Sequence, residues 1–210
     1  MSLDIKPLMN QQECSNGLTK RFDLVVIGAS SGGLDGLIKL LKRLPQHYMI
    51  PTVAVLHQRP NRSSGVPDML SKYTHLQVQE PDDKQGIEAG YFYVAPPNYH
   101  LLIDSDKVFS LSLDAPVNFC RPSIDIAMES AADTYRDRLL GCILTGANSD
   151  GAEGVMYVKR NGGYVVVQDP KEAAVDSMPK AAIAATDVDA VLSIEQIADR
   201  MASFAGGGQE

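Results

Sequence analysis

A serine, a histidine and an aspartate stand at the ends of three separate apolar runs: Ser30 after LVVIGA, His57 after TVAVL, and Asp150 just past LLGCILTG. Such a set can perform acyl transfer. The hydroxyl attacks a carbonyl, the imidazole takes its proton, and the carboxylate fixes the tautomer of the imidazole. Gly28-Ala29-Ser30-Ser31-Gly32 fits G-x-S-x-G, in which small neighbours permit the sharp strand-to-helix turn that exposes a serine oxygen. The backbone N–H of Ser31, at the start of the next helix, is the candidate donor to a developing oxyanion. A plainer reading stands beside this one: Ser30 or Ser31 caps a helix, and Asp150 caps the helix beginning near Ala152. Among the histidines, His47 falls in a connection at the opposite edge, His75 in a polar connector, and His100 at the start of a strand. Only His57 ends a strand beside Ser30.

VVIGASSGG also resembles the glycine-rich turn of a dinucleotide site. Ser30 occupies the place of the second glycine of G-x-G-x-x-G, where the backbone must approach pyrophosphate closely. None of the eight tyrosines is followed by a lysine four residues later, and TVAVLH ends in histidine where a ribose-binding acid is needed. No cofactor is therefore expected. HExxH and clustered His/Cys spacings are absent from the sequence, and Asp82-Asp83 reads as a solvated turn, so no metal site is expected either.

These residues need a scaffold that brings strand ends together. From Asp23 onward the chain alternates short β-branched runs with helical periodicity, beginning with DLVVIGA, a helix over Leu34 to Leu44, and TVAVLH. Leu34, Leu37, Ile38, Leu41 and Leu44 mark one buried helical face, which Pro45 ends. Unalternating apolar strands suit a parallel sheet covered on both faces. YFYVAPPNYHLLIDSDKVFSLSL holds three strand-like runs and reads as a local antiparallel meander or hairpin. RPSIDIAMESAADTYRDRL reads as a helix with Ser123 as N-cap. The expectation is a single α/β domain, an open, doubly wound, mostly parallel sheet with a short antiparallel meander, over residues 22–204. Flexible segments are expected at 1–21 and 205–210.

With 26 acidic against 19 basic side chains, the formal charge of −7 argues against nucleic-acid or anionic-membrane binding. No run of 18 apolar residues and no signal-peptide pattern occurs, so the protein is expected in the cytoplasm, without membrane insertion. Three cysteines without CxxC spacing fit reduced thiols, and Cys142 reads as core packing. Arg59, Arg62 and Arg121 are candidate contacts for a carboxylate-bearing substrate; exposed solubilising charges are the equal alternative.

The quoted motifs, in this order, resemble the catalytic domain of the chemotaxis receptor methylesterases, the CheB family of protein-glutamate methylesterases. The likeness runs from about Asp23 to Met201 and includes VVIGASSGG, His57 with Pro60, GYFYVAPPNYHLLID, RPSIDIAMESAA, ILTGANSDGAEGV and VVVQDPKEAAVDSMPKAAI. It implies Ser30 as nucleophile, His57 as base and Asp150 as acid, acting on glutamate γ-methyl esters of chemoreceptor cytoplasmic helices, with deamidation of receptor glutamine as a second activity. Ala147 stands where the family usually has Met, Ser31 where Thr is commoner, and Asp176-Ser177 where apolar or glycine residues are typical. About 22 residues precede the first strand, too few for the family's phosphoacceptor receiver domain of roughly 100 residues. A stand-alone or excised esterase is the expectation. A module of the same fold that binds a receptor or scaffold without catalysis is the alternative.

Overall fold

The computed structural model describes residues 21–57 and 65–205. Strand β1 (Leu24–Ala29) is buried throughout. Its side chains alternate between two cores, Val25, Ile27 and Ala29 entering one and Leu24 and Val26 the other. An all-apolar strand is what burial on both faces demands.

Strands β2 (Thr52–Leu56), β3 (Gln77–Gln79) and β4 (Tyr91–Val94) precede the hairpin of β5 (His100–Ile103) and β6 (Phe109–Ser112), which β7 (Leu139–Ile143), β8 (Tyr164–Gln168) and β9 (Ala190–Leu192) follow. Seven of them form a parallel sheet in the order β3-β4-β2-β1-β7-β8-β9. The fold is the α/β architecture expected. The chain leaves β1 for β2 on one side and returns for β7 on the other. Sheets of this kind place sites outside the carboxyl ends of the strands at such a switch.

Helices α1 (Gly33–Arg43), α2 (Val66–Leu70) and α6 (Ile194–Ala205) supply one core; α3 (Ile124–Tyr135), α4 (Ala152–Arg160) and α5 (Ser177–Ala185) supply the other. On α1 the most buried stripe is Leu37, Leu40 and Leu41, continued by Leu44, while Leu34 and Ile38 are only partly buried. The period is the expected one, but Leu40 takes a place the pattern had not given it. Leu44, before Pro45, is already extended, as the proline ring requires of its neighbour.

The antiparallel hairpin is present in two of the three runs, and the first run is corrected. YFYV is β4, paired in parallel with β2 and β3, and only β5 and β6 are antiparallel. Phe92, Tyr93 and Val94 are all fully buried, a two-sided burial that belongs to the central sheet rather than to a surface hairpin. The hairpin lies against α3 through Leu101, Ile103 and Phe109.

Candidate active site

The turn after β1 is shaped by backbone constraints. Ser30 N donates to Thr145 O at 3.0 Å, and Gly33 N donates to Ser30 O at 2.8 Å. Gly32 caps α1 with φ 78° and no side-chain cap, so neither Ser30 nor Ser31 serves as the helix cap. A Cβ at Gly32 would sit 2.7 Å from Ala174 Cβ, and one at Gly28 would sit 2.5 Å from Ile124 Cγ2; side chains fit at neither place. Among the described residues nothing accepts the amide hydrogens of Ser31 or Gly32. They lie at the N-terminus of α1, where an anion is favoured. Thr145 Oγ1, 2.9 Å from Ser31 O and 3.1 Å from Val175 O, ties this turn to the loop after β8.

His57 follows β2, and its amide donates to Ala29 O at 3.1 Å. The backbone ladder thus sets His57 beside the residue preceding Ser30. Its Nε2 lies 2.8 Å from Asp150 Oδ2. Asp150 is fully buried, in the loop between β7 and α4. It caps a helix, but not the one beginning near Ala152, whose N-cap is Gly151. Ile124 N donates to Asp150 Oδ2 at 2.7 Å, and Asp125 N and Ser123 Oγ donate to Oδ1 at 3.2 and 2.9 Å. The carboxylate therefore sits on the N-terminus of α3. Burial works to raise its pKa, yet the hydrogen bonds from His57, Ile124 and Asp125 hold it below the ordinary carboxylate range. A charged Asp150 accepts from Nε2–H, which leaves Nδ1 as the basic nitrogen of neutral His57.

Nδ1 faces Asn148 Nδ2 at 3.4 Å and Cys120 Sγ at 3.7 Å. Ser30 stands half-buried at the same edge, and no hydrogen bond joins its hydroxyl to the imidazole. Reaction requires the Ser30 oxygen to reach Nδ1 when an ester is present, a tightening that substrate-free hydrolases commonly await.

Behind Asp150 lies a second carboxylate that residue spacing did not single out. Asp125 Oδ1 accepts from Gly151 N at 2.8 Å and Gly154 N at 2.7 Å, and its Oδ2 accepts from Asn118 Nδ2 at 2.9 Å. It joins α3, the start of α4 and the strap of residues 113–122 that crosses from β6 to α3. Burial, reinforced by the charge of Asp150, pushes its pKa up to about 7 against the pull of the Gly154 and Gly151 amides. The sequence signal was the RPSID run, read only for its cap. Ser123 does cap α3, accepting from Ile126 N, and also donates to Asp150.

Of the candidate substrate contacts, Arg59 and Arg62 lie outside the described residues. Arg121 spends its guanidinium on the carbonyls of Leu113 and Asp114, at 2.8 and 2.9 Å, closing the strap. A cavity of about 390 Å³ lined by Arg21, Asp23, His47 and Tyr135 contains none of the three catalytic candidates; Asp23 and His47 lie before β1 and β2, at the amino ends of the strands.

Comparison with known proteins points the same way. The family described as CheB methylesterase matches residues 25–201. A putative protein-glutamate methylesterase/protein-glutamine glutaminase of Leptospira interrogans is 48% identical over 178 residues, 85% of this chain and 92% of its own. Protein-glutamate methylesterase/protein-glutamine glutaminase 1 of Carboxydothermus hydrogenoformans is 37% identical over 186 residues, 86% of this chain and 54% of its own. In three dimensions the chain is similar to the Thermotoga maritima CheB methylesterase catalytic domain, with a TM-score of 0.82 and 32% identity over 86% of this chain and 97% of that one. The chain belongs to the CheB methylesterase family.

Proposed function

We propose that residues 22–204 form a methylesterase domain that hydrolyses glutamate γ-methyl esters on the cytoplasmic helices of chemoreceptors, releasing methanol, and deamidates receptor glutamine by the same route. Ser30 is the nucleophile. His57 Nδ1 removes its proton as Oγ attacks the ester carbonyl, and Asp150 holds the ring through Nε2 and steadies the imidazolium. The assignment of Nδ1 follows from Asp150 occupying the other nitrogen. The amide of Ser31, with that of Gly32 beside it, donates to the oxyanion. Nδ1–H then protonates the departing methoxide, and water hydrolyses the glutamyl-serine ester with His57 again as base.

The observation that carries this reading is the 2.8 Å contact between His57 and buried Asp150, beside a serine at a glycine-bounded strand-to-helix turn. A non-catalytic module would need Asp150 only as the cap of α3, without an imidazole set against the same carboxylate. The test is methanol release from methylated receptor membranes. Ser30→Ala should lose at least about a thousandfold in rate with unchanged folding. Equal rates for the two proteins would overturn the proposal. Arg121 enters it only as the residue that shapes the strap near the site.

A further inference from the structure

Three ligand-forming groups converge on the free side of His57, and the acyl-transfer chemistry needs only one of them. Nδ1 lies 3.7 Å from Cys120 Sγ, and Asn148 Nδ2 lies 3.4 Å from Nδ1 and 3.2 Å from Sγ. Asn148 Oδ1 is buried and has no hydrogen-bond partner among the described residues, an arrangement that costs stability wherever it occurs. Half a turn of the amide about Cβ–Cγ would exchange its nitrogen for this oxygen and direct a carbonyl at the same point as Nδ1 and Sγ. In a tetrahedral zinc site with Zn–S of about 2.3 Å and Zn–N or Zn–O of about 2.1 Å, neighbouring donor atoms lie about 3.4–3.6 Å apart. The three spacings found, 3.7, 3.4 and 3.2 Å, approximate one face of that tetrahedron.

The outer partner is in place as well. Metal-binding histidines characteristically donate the other ring N–H to a carboxylate, which fixes the tautomer and raises ligand basicity; Asp150 does this through Nε2.

We propose that His57 Nδ1, Cys120 Sγ and the Asn148 amide carbonyl form a binding site for a thiophilic divalent cation, Zn²⁺ being the physiological candidate, and that cation binding and catalysis exclude each other. The first part stands on geometry alone; the second rests on His57 acting as the base. Binding converts the Cys120 thiol to thiolate, its proton leaving to solvent, and directs the Nδ1 lone pair at the metal. No lone pair then remains to accept the Ser30 proton. The fourth position is left to water or to the Ser30 hydroxyl. A thiolate and an imidazole select soft and borderline cations over Mg²⁺ or Ca²⁺.

The test uses the full chain, treated with EDTA and dialysed. Cd²⁺ is titrated while thiolate-to-metal charge-transfer absorption is followed, and Zn²⁺ affinity is taken from competition. One equivalent should bind. Cys120→Ser should weaken Zn²⁺ by at least about a hundredfold, since losing even an outer partner of a zinc ligand costs about 10- to 100-fold. Asn148→Ala should weaken it less. Absence of the absorption, or its survival in Cys120→Ser through another thiol, overturns the site. In a parallel methanol-release assay, each protein is compared with its own rate in EDTA. One equivalent of Zn²⁺ should abolish wild-type turnover and leave that of Cys120→Ser unaffected, with Mg²⁺ inert on both. Stoichiometric Zn²⁺ binding without inhibition overturns the exclusion. An esterase inactive even in EDTA refutes the proposed function and leaves the binding result standing.

Discussion

The carboxyl edge of the sheet and the strap that crosses it both reach His57, but they are held by different forces. At the edge, position comes from the backbone: Ala29 pairs with Leu56, Gly28 with Ile143, and the ladder continues into Ser30 N to Thr145 O and His57 N to Ala29 O. In the strap, position comes from side chains. Asn118 reaches Asp125, Arg121 folds back on Leu113 and Asp114, and His100 Nε2 donates to Ala115 O. A ladder fixes several residues at once and survives the loss of any one side chain. A strap held by single hydrogen bonds does not. Substitutions at the edge should therefore show first in rate, and substitutions behind the strap first in stability.

The largest expected effect is at the edge. Asp150→Asn puts an amide where Nε2–H needs an acceptor and the α3 amides need a charge, so the imidazole can settle in the wrong tautomer. Methanol-release kinetics should show kcat falling by about 10⁴-fold. A loss below tenfold would mean that Asp150 serves only as the cap of α3.

Next comes the hub beneath the strap. Asp125→Ala leaves the amides of Gly151 and Gly154 and the side chain of Asn118 without their acceptor. A loss of about 3 kcal/mol is expected, lowering Tm by about 6–12 °C for a chain of this size. Gly28→Ala tests the border between the regions. Its Cβ would lie 2.5 and 3.0 Å from Ile124 side-chain atoms, pressing on the residue whose amide holds Asp150. About 1–3 kcal/mol should be lost, with activity falling more than the residual folded fraction explains.

These outcomes bear on what a reader of the sequence could see. Ser30, His57 and Asp150 were legible because each ends a strand whose apolar run and flanking turn are local signals, and a parallel sheet collects such ends at one edge. Cys120, Asn148 and Asp125 were not. They meet His57 and Asp150 through a strap and a loop whose course depends on contacts between residues 7 to 93 positions apart, and no residue period encodes that. The role of Asp150 as a cap was legible in kind and wrong in target, because an N-cap inferred from sequence is sought on the next helix, and α3 precedes it. β4 was misplaced for a related reason. Tyr-Phe-Tyr-Val followed by Pro-Pro-Asn looks like a hairpin arm, and only the burial of consecutive side chains puts it inside the sheet.

A smaller effect separates the two carboxylates by pH. The folded pKa of Asp125 is raised to about 7, so its contribution to stability is fully present below the unfolded carboxylate pKa and is lost as pH rises through about 7. The folded pKa of Asp150 is depressed, so its contribution is present above the unfolded value and is lost as pH falls through the folded one. Tm against pH should decline between about pH 4 and pH 7 in the wild type, and Asp125→Asn should flatten that decline. The groups facing Asp125 are Asp150 and Cys120, and neither is altered by the substitution. An identical slope in both proteins would remove Asp125 as its source.

The smallest effect lies at the tip of the strap. Asn118 and Phe119 both adopt positive φ, 51° and 62°, between the paired backbones of Val117 and Cys120, and the Phe119 ring is fully exposed. The left-handed backbone costs a residue with a side chain about 1–2 kcal/mol relative to glycine, and an exposed ring recovers none of it through burial. Phe119→Gly should therefore raise stability, by less than about 1 kcal/mol once the greater freedom of the unfolded glycine is set against the relieved strain. Denaturant unfolding measures it as a higher midpoint at unchanged slope. A fall in the midpoint would show that the ring packs on the strap, and would make the strap, like the sheet edge, a unit held by more than its single hydrogen bonds.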